Sequence, residues 1–164
     1  MSSPDARVRI ARRAVLGAAL ALAACGFTPV YGPGGAGTRL QGKVRIADPQ
    51  TTDDYAFLRR LTERLGPEEA AAYALDYQLR IAVVPQAITA DEVATRYSLN
   101  GTAGYVLTES ATGREVVRGE VSNFTSHSAV GSVIATVSAE QDARNRLAVM
   151  LADQVVTRLL ASVP

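Results

Sequence analysis

The chain contains one cysteine, one histidine and one lysine among its 164 residues. A single cysteine permits neither an intramolecular disulfide nor a metal site built from cysteines, so the fold has to be held by its hydrophobic core. The lone histidine, His127, stands between Ser126 and Ser128. Adjacency in sequence does not place a hydroxyl and an imidazole in catalytic geometry, so we interpret His127 as a loop residue and expect no enzyme.

Positive charge is scarce beyond the first 24 residues. Residues 1–24 contain four arginines and Asp5, a net charge of +3, so the formal charge of +1 for the whole chain becomes −2 for residues 25–164. Proteins that bind nucleic acid through its phosphates usually show a basic surplus. Nucleic acid is therefore not an expected partner.

A long apolar run is also missing, because the longest one, Ala14–Ala24, has eleven residues. A membrane-spanning helix needs about 20 apolar residues. The run follows Arg12-Arg13 and ends in small residues directly before Cys25, which is the order of an export signal. A cysteine at that place can take up a diacylglycerol and become the new N-terminus. We predict a lipoprotein signal peptide over residues 1–24 and a covalent lipid on Cys25, with no other cofactor.

The predicted anchor has a location. One acyl chain gives marginal attachment, whereas the three chains that a bacterial lipoprotein normally carries give a stable anchor. The aspartate that usually retains lipoproteins in the inner membrane is absent after Cys25, where Gly26 stands. We expect the chain at the cell outer membrane, lipid-anchored, on the periplasmic side. Arg12-Arg13 leaves both the Sec and the twin-arginine export routes open.

A glycine-rich segment follows the predicted anchor. Tyr31–Thr38 contains four glycines and one proline, a composition that favours a flexible tether. A phosphate-binding loop would follow a strand and carry Lys-Ser or Lys-Thr, which this segment lacks. The sequence therefore predicts a tether over residues 25–38 and one domain over residues 39–164.

Beyond the tether, apolar residues recur with periods of about 2 and 3.6, which indicate strands and helices. The pattern predicts a first strand that starts near Leu40, a helix capped by Thr52 or Asp53 and a last helix of roughly 24 residues. A capping box at Ser138 and Gln141 would open that last helix. The predicted strands are, in chain order, 40–46, 75–85, 94–109 and 115–126.

This order of elements predicts an α+β fold, strand-helix-strand-strand-strand-helix. Two helices would pack on one face of a four-stranded, mostly antiparallel sheet, since each amphipathic element must bury its apolar side. The other face would be polar enough to meet water or a polar partner. Its predicted residues are Asp76, Arg80, Arg96, Asn100, Thr102, Arg118 and Glu120.

The segment between the last strand and the capping box is unusually apolar for a solvated connection. Its large apolar residues are Val130, Val133 and Ile134. One possibility is that they fold back onto the end of the core. The other is that they contact a partner, together with Ile88 in the 85–93 connection, because exposed apolar clusters mark interaction sites.

The heptapeptide Cys25–Tyr31, with the sequence CGFTPVY, resembles the start of mature lipopolysaccharide-assembly lipoproteins of the LptE family. The order of elements is similar to that family's sandwich, and Ala139–Ala143 resembles the opening of its last helix. The resemblance implies a plug inside the outer-membrane β-barrel LptD that supports barrel assembly and helps to receive lipopolysaccharide. The implied partners are an LptD-like barrel and, as a second candidate, lipopolysaccharide itself. No lysine of the family can be matched to Lys43.

Two other functions stay open at this point. The chain could be an auxiliary lipoprotein of an ABC-type envelope lipid transporter, in which case an inner-membrane transporter would co-purify instead of a barrel. It could also be a lipid-anchored hydrolase that uses His127. A His127→Ala variant of such a hydrolase would lose its function and keep its stability.

Overall fold

The computed structural model describes Gly32, residues 35–88 and residues 94–163, without the side chains of residues 87, 88 and 94. The signal segment, Cys25 and the Ile88 side chain therefore lie outside the described residues. The elements are α1 Ala36–Leu40, β1 Val44–Ile46, α2 Thr52–Leu65, β2 Tyr73–Ile88, β3 Ala94–Glu109, β4 Glu115–Ser128 and α3 Val133–Ser162.

The four strands form one sheet in the order β1-β2-β3-β4. β1 runs parallel to β2, with Val44 opposite Tyr73. The other two pairs are antiparallel and long, and only short irregularities interrupt their registers. The predicted α+β class with a mostly antiparallel sheet is confirmed.

The prediction was wrong at the first strand, because residues 36–40 form the short helix α1. Gly42 breaks the alternating pattern, since its φ of 70° turns the chain. Its N–H donates to the Leu65 carbonyl at 2.7 Å, at the end of α2. Gly37 and Leu40 are buried. The predicted domain boundary at residue 39 falls inside α1, and the burial of Leu40 places this helical turn with the domain.

α2 begins one residue earlier than predicted, with Thr51 as its N-cap. The hydroxyl of Thr51 accepts a hydrogen bond from the Asp54 N–H, and the Asp54 carboxylate accepts one from the Thr51 N–H at 2.8 Å. These reciprocal bonds satisfy two backbone donors that the helix itself cannot pair. The helix ends at Leu65, before Gly66, as predicted.

α3 is longer than predicted, with 30 residues, and it begins at Val133 rather than after Ser138. Ser132 is its N-cap, and its hydroxyl accepts a hydrogen bond from the Ala135 N–H. Gly131, with a φ of 136°, makes the break in the chain just before this cap. Ser138 cannot cap the helix because the chain before it is already helical. β-branched residues weaken a helix only slightly, so Val133–Val137 are accepted within it.

The core lies between the sheet and α2 and α3. The inward side of β3 is buried as predicted, from Leu99 to Leu107 at every second residue. The predicted apolar stripe of α3 is buried against it, apart from the half-buried Met150. The fully buried residues of this stripe are Ala143, Leu147, Leu151, Val155 and Leu159.

Ion pairs join the two long helices on their outer side. Arg60 donates two hydrogen bonds to the Asp153 carboxylate, at 3.0 and 3.1 Å, and Arg64 donates a third at 2.6 Å. Arg144 on α3 pairs with Asp53 at the start of α2, at 3.0 Å. Because Asp153 is paired with two arginines at once, α2 is held in a defined position along α3.

Candidate functional site

The domain has two distinct ends. The chain enters beside the start of β2, and the β3–β4 turn lies at the same end because the Ser110 N–H donates to the Ala72 carbonyl. We call this the anchor end, since Cys25, where a lipid is predicted, precedes Gly35 by ten residues. The opposite end, which we call the distal end, holds the end of β2, the start of β3, the end of β4 and the start of α3. β2 has 16 residues, so the two ends are roughly 50 Å apart.

An apolar cluster lies exposed at the distal end. Val130, Val133, Ile134 and Val137 are 72%, 80%, 81% and 61% exposed. The possibility that Val130, Val133 and Ile134 fold back onto the core is therefore wrong. We call these four residues the distal apolar cluster. Exposed apolar clusters of this kind mark interaction sites.

Val137 was missed by the sequence analysis as a member of this cluster. It follows Val133 by four residues, so the two side chains share a helix face once the helix begins at Val133. The four-residue spacing of Val133 and Val137 is visible in the sequence. It indicates a shared helix face only when Ser132, rather than Ser138, is recognised as the N-cap.

The outer face of the sheet is mostly polar, as predicted, although Phe124, opposite Asn100, is 70% exposed on it. Asp76, Arg80, Arg96, Asn100, Arg118 and Glu120 are exposed on it, and Thr102 is half-buried. Gly104 lies at its centre, with open space where a side chain would stand. The resulting depression is a cavity of about 650 Å³ lined by residues of three strands, including Gln78 and Glu120.

One ion pair borders this depression. Arg118 donates three hydrogen bonds to the Glu115 carboxylate, the shortest at 2.6 Å. These bonds lower the pKa of Glu115 below its ordinary value, because they favour the charged form. Both side chains are exposed, so the pair shapes the surface charge more than it stabilises the fold.

His127 lies inside β4, which corrects its interpretation as a loop residue. It is opposite Tyr97 in the β3–β4 register, and the two rings stack with centroids 5.6 Å apart. The side chain is 7% exposed, and its Nδ1 lies 3.3 Å from the Ser128 carbonyl. His127 was mistaken for a loop residue because the strand was expected to end at residue 126.

The two serines beside His127 do not share its face of β4. Successive side chains of a strand point to opposite faces, so the exposed Ser126 and Ser128 lie on the other face from the buried imidazole. Within the part of the chain that the structure describes, no group of three or more His, Cys, Asp or Glu side chains could hold a metal ion.

The family of the chain follows from its sequence over most of this domain. The model of the family described as LptE, lipopolysaccharide-assembly, matches residues 41–159. The chain belongs to the LptE family. The resemblance inferred from the sequence is thereby confirmed. The chain is accordingly a lipopolysaccharide-assembly lipoprotein, and members of its family are bacterial outer-membrane lipoproteins.

Solved structures of bacterial lipoproteins share this fold. A Caulobacter crescentus CB15 protein described as a lipoprotein is 19% identical, with 77% of this chain and 93% of that chain covered and a TM-score of 0.64. Rare lipoprotein B from Shewanella oneidensis is 10% identical, with coverages of 73% and 92% and a TM-score of 0.56. The minor lipoprotein from Acinetobacter baumannii is 14% identical, with coverages of 73% and 89% and a TM-score of 0.52.

No curated protein matches the chain. Among the described residues, the helices are too short or too polar to cross a membrane.

Proposed function

We propose that this LptE-family protein, acylated on Cys25, stands as a plug inside the lumen of an LptD-like outer-membrane β-barrel. In this position it supports assembly of the barrel and takes part in the delivery of lipopolysaccharide. Membership of the LptE family supports the role in lipopolysaccharide delivery. The shape and the surface of the domain support its place inside the barrel lumen.

The observation that carries the proposal is the separation of the anchor end from the distal apolar cluster. β2 has 16 residues and α3 has 30, so both elements are roughly 45–50 Å long. A bilayer with its headgroups is about 40–45 Å thick. A domain anchored on the periplasmic side and standing upright in a barrel would therefore carry the cluster to the opposite membrane face.

The surface of the domain suits such an environment. The lumen of a large outer-membrane barrel is polar, and the outer face of the sheet presents charged and amide side chains such as Arg80, Asn100 and Glu120. The distal apolar cluster would then meet the inner wall or a loop of the barrel. Cys25 precedes Gly35 by ten residues, and a chain of this length reaches at most about 35 Å.

A double substitution tests the proposed contact. Val133→Ser with Ile134→Ser should leave the melting temperature of the chain unchanged, because both side chains are at least 80% exposed. Less barrel should co-purify with the variant from detergent-solubilised envelopes, since two apolar contacts are lost. Tyr55→Ser is the matched control, because Tyr55 is 65% exposed on α2, an element that carries no residue of the cluster.

Several outcomes would contradict the proposal. If the double variant recovers as much barrel as the unsubstituted chain, the distal apolar cluster does not contact the barrel. If Tyr55→Ser lowers barrel recovery as much as the double variant does, the loss is not specific to the cluster. Recovery of an inner-membrane lipid transporter in place of a barrel would favour the auxiliary role considered from the sequence.

Lipopolysaccharide at the cell surface, measured in the same strains, should fall together with barrel recovery.

A further inference from the structure

β4 forms one edge of the sheet over 14 residues. The Ala129 N–H donates to the carbonyl of Thr95, the residue opposite it on β3. Hydrogen-bonded pairs recur at every second residue, so the odd-numbered residues of β4 bond to β3. The backbone N–H and C=O groups of the even-numbered residues of β4 therefore point away from β3, toward the free side of the strand. Those residues include Arg118, Glu120 and Ser122.

The hydrogen bonds of Phe124 agree with this direction. Its N–H donates to the side-chain oxygen of Asn123 at 2.8 Å and not to a carbonyl of β3. Asn123 therefore closes the free side of β4 at one position near the distal end. The part of the edge from Arg118 to Ser122 stays open toward solvent.

The two edges of the sheet differ in how they are protected. The free side of β2 carries Pro85, and its register shifts between Pro85 and Ile88. Over Val117–Ser128, β4 has neither proline nor lysine, and its register with β3 is unbroken. Natural proteins normally protect a long edge with such devices, because unpaired backbone groups bind other strands. Between Arg118 and Ser122 the edge of β4 is protected by the exposed charges of Arg118 and Glu120 alone, so it is suited to accept a strand of complementary charge.

A groove runs beside this open edge, between β4 and α3. It is a cavity of about 440 Å³ lined by Glu120 and Ser122 on the strand side and by Asp153, Thr157 and Arg158 on the helix side. Asp153 is neutralised by Arg60 and Arg64. Glu120 and Arg158 have no ion pair among the residues that the structure describes. An occupant of the groove would therefore meet one uncompensated charge of each sign.

We propose that the edge of β4 at Arg118–Ser122 accepts an extended segment of the barrel partner as an added strand. This segment carries a basic residue opposite Glu120 and an acidic residue opposite Arg158. The wall strands of a closed barrel pair their backbone groups with one another. The segment is therefore a loop or a terminal stretch of the barrel protein that lies in the lumen. This inference rests on the proposed function.

The backbone N–H of Ser122 provides the first test. Ser122→Pro removes this donor on the free side, where proline is tolerated, whereas Ser122→Ala keeps it. With the full acylated chain in cells, we expect at least about fivefold less barrel to co-purify with the proline variant, and no change with the alanine variant. Equal recovery with both variants at an unchanged melting temperature would overturn the proposal.

If Ser122→Pro lowers the melting temperature, the loss of barrel could result from unfolding, so cross-linking provides a second test that does not depend on this variant. A photo-reactive residue replaces Thr157, which lines the groove, and in a second variant it replaces Ile134 in the distal apolar cluster. The expected cross-link from residue 157 is to a segment of the barrel protein outside its wall strands. A cross-link to a wall strand, to a second copy of this chain or to nothing would overturn the proposal.

The two positions separate the edge proposal from the proposed function. Cross-links to the barrel from residue 134, with none from residue 157, would overturn the edge proposal alone. Absence of barrel cross-links from both positions would overturn the plug as well.

Discussion

At the scale of single residues, two glycines determine how closely the elements pack. A Cβ atom at Gly101 would lie 2.8 Å from Leu151 Cδ1 and 3.0 Å from Leu147 Cδ2 on α3. At Gly119 it would lie 2.6 Å from the Tyr105 hydroxyl oxygen. The sequence placed Gly101 on the inward face. Only the packing explains why a side chain is missing there.

Gly101→Ala should destabilise the protein by about 1–3 kcal/mol, because its methyl group would overpack the contact with α3. Gly104→Ala is the matched control on the same strand, since nothing lies within 4 Å of a Cβ atom there. We expect a change within about 0.5 kcal/mol for the control. Urea unfolding of the unacylated chain measures both, and equal losses would contradict the close approach of α3 to Gly101.

Tyr77 combines a buried hydroxyl with a shifted pKa. Its hydroxyl has no hydrogen-bond partner among the described residues, and its ring packs 4.9 Å from that of Phe57. Burial, with added repulsion from Asp54 and Asp48, raises the pKa of Tyr77 to about 12. The neutral phenol is therefore favoured in the folded state.

Tyr77→Phe should keep or raise the free energy of unfolding at pH 7, by up to about 1 kcal/mol, since it removes an unpaired buried hydroxyl. The unfolded tyrosine ionises near pH 10, so the native protein should lose stability between pH 10 and about 12. The variant should lose less over that interval. Urea unfolding across the pH series measures this difference, with Tyr55→Phe as the exposed control, and identical slopes would count against it.

At the scale of elements, α3 shows what periodicity can predict. The spacing of its apolar residues identified the buried stripe, because a helix of 3.6 residues per turn returns them to one face. The start of the helix was misplaced by six residues, since Ser132 and Ser138 both have the chemistry of an N-cap. The packing of the chain before each serine distinguishes them.

Leu151→Ala should cost about 2–5 kcal/mol, because the side chain is fully buried against the sheet. This is a large part of the roughly 5–15 kcal/mol expected for a domain. Gln141→Ala, at an exposed position of the same helix, should change the stability by less than about 0.5 kcal/mol. A similarly small loss for Leu151→Ala in chemical denaturation would show that the stripe does not support the fold.

At the scale of the whole molecule, a lipid anchor and a distal contact are proposed at opposite ends of one domain. The long strands and α3 run between these ends. In this proposal the position of the domain in the envelope depends on the lipid at Cys25. Its orientation depends on the surfaces of the domain.

Cys25→Ala should abolish incorporation of radioactive palmitate, because no other thiol is present in the chain. The variant should also leave the membrane fraction, since its proposed anchor would be lost. Labelling equal to that of the unsubstituted chain would place the lipid elsewhere and remove the basis for the anchor end.

The sequence by itself determined the α+β class, the β3–β4 hairpin, the inward side of β3 and the buried stripe of α3. These features depend on residues close together in the chain, whose periods of 2 and 3.6 place apolar side chains on one side. The family resemblance rested on Cys25–Tyr31, and the family match over residues 41–159 supports it independently.

Only the tertiary structure decided the helical state of residues 36–40, the burial of His127, the exposure of the distal apolar cluster and the open edge of β4. A short apolar segment is compatible with strand, helix or loop, and which one it adopts depends on what packs against it. Val133 and Ile134 are as apolar as the residues of the core. They are exposed because no described element covers the first turns of α3, where none of residues 133–142 is buried.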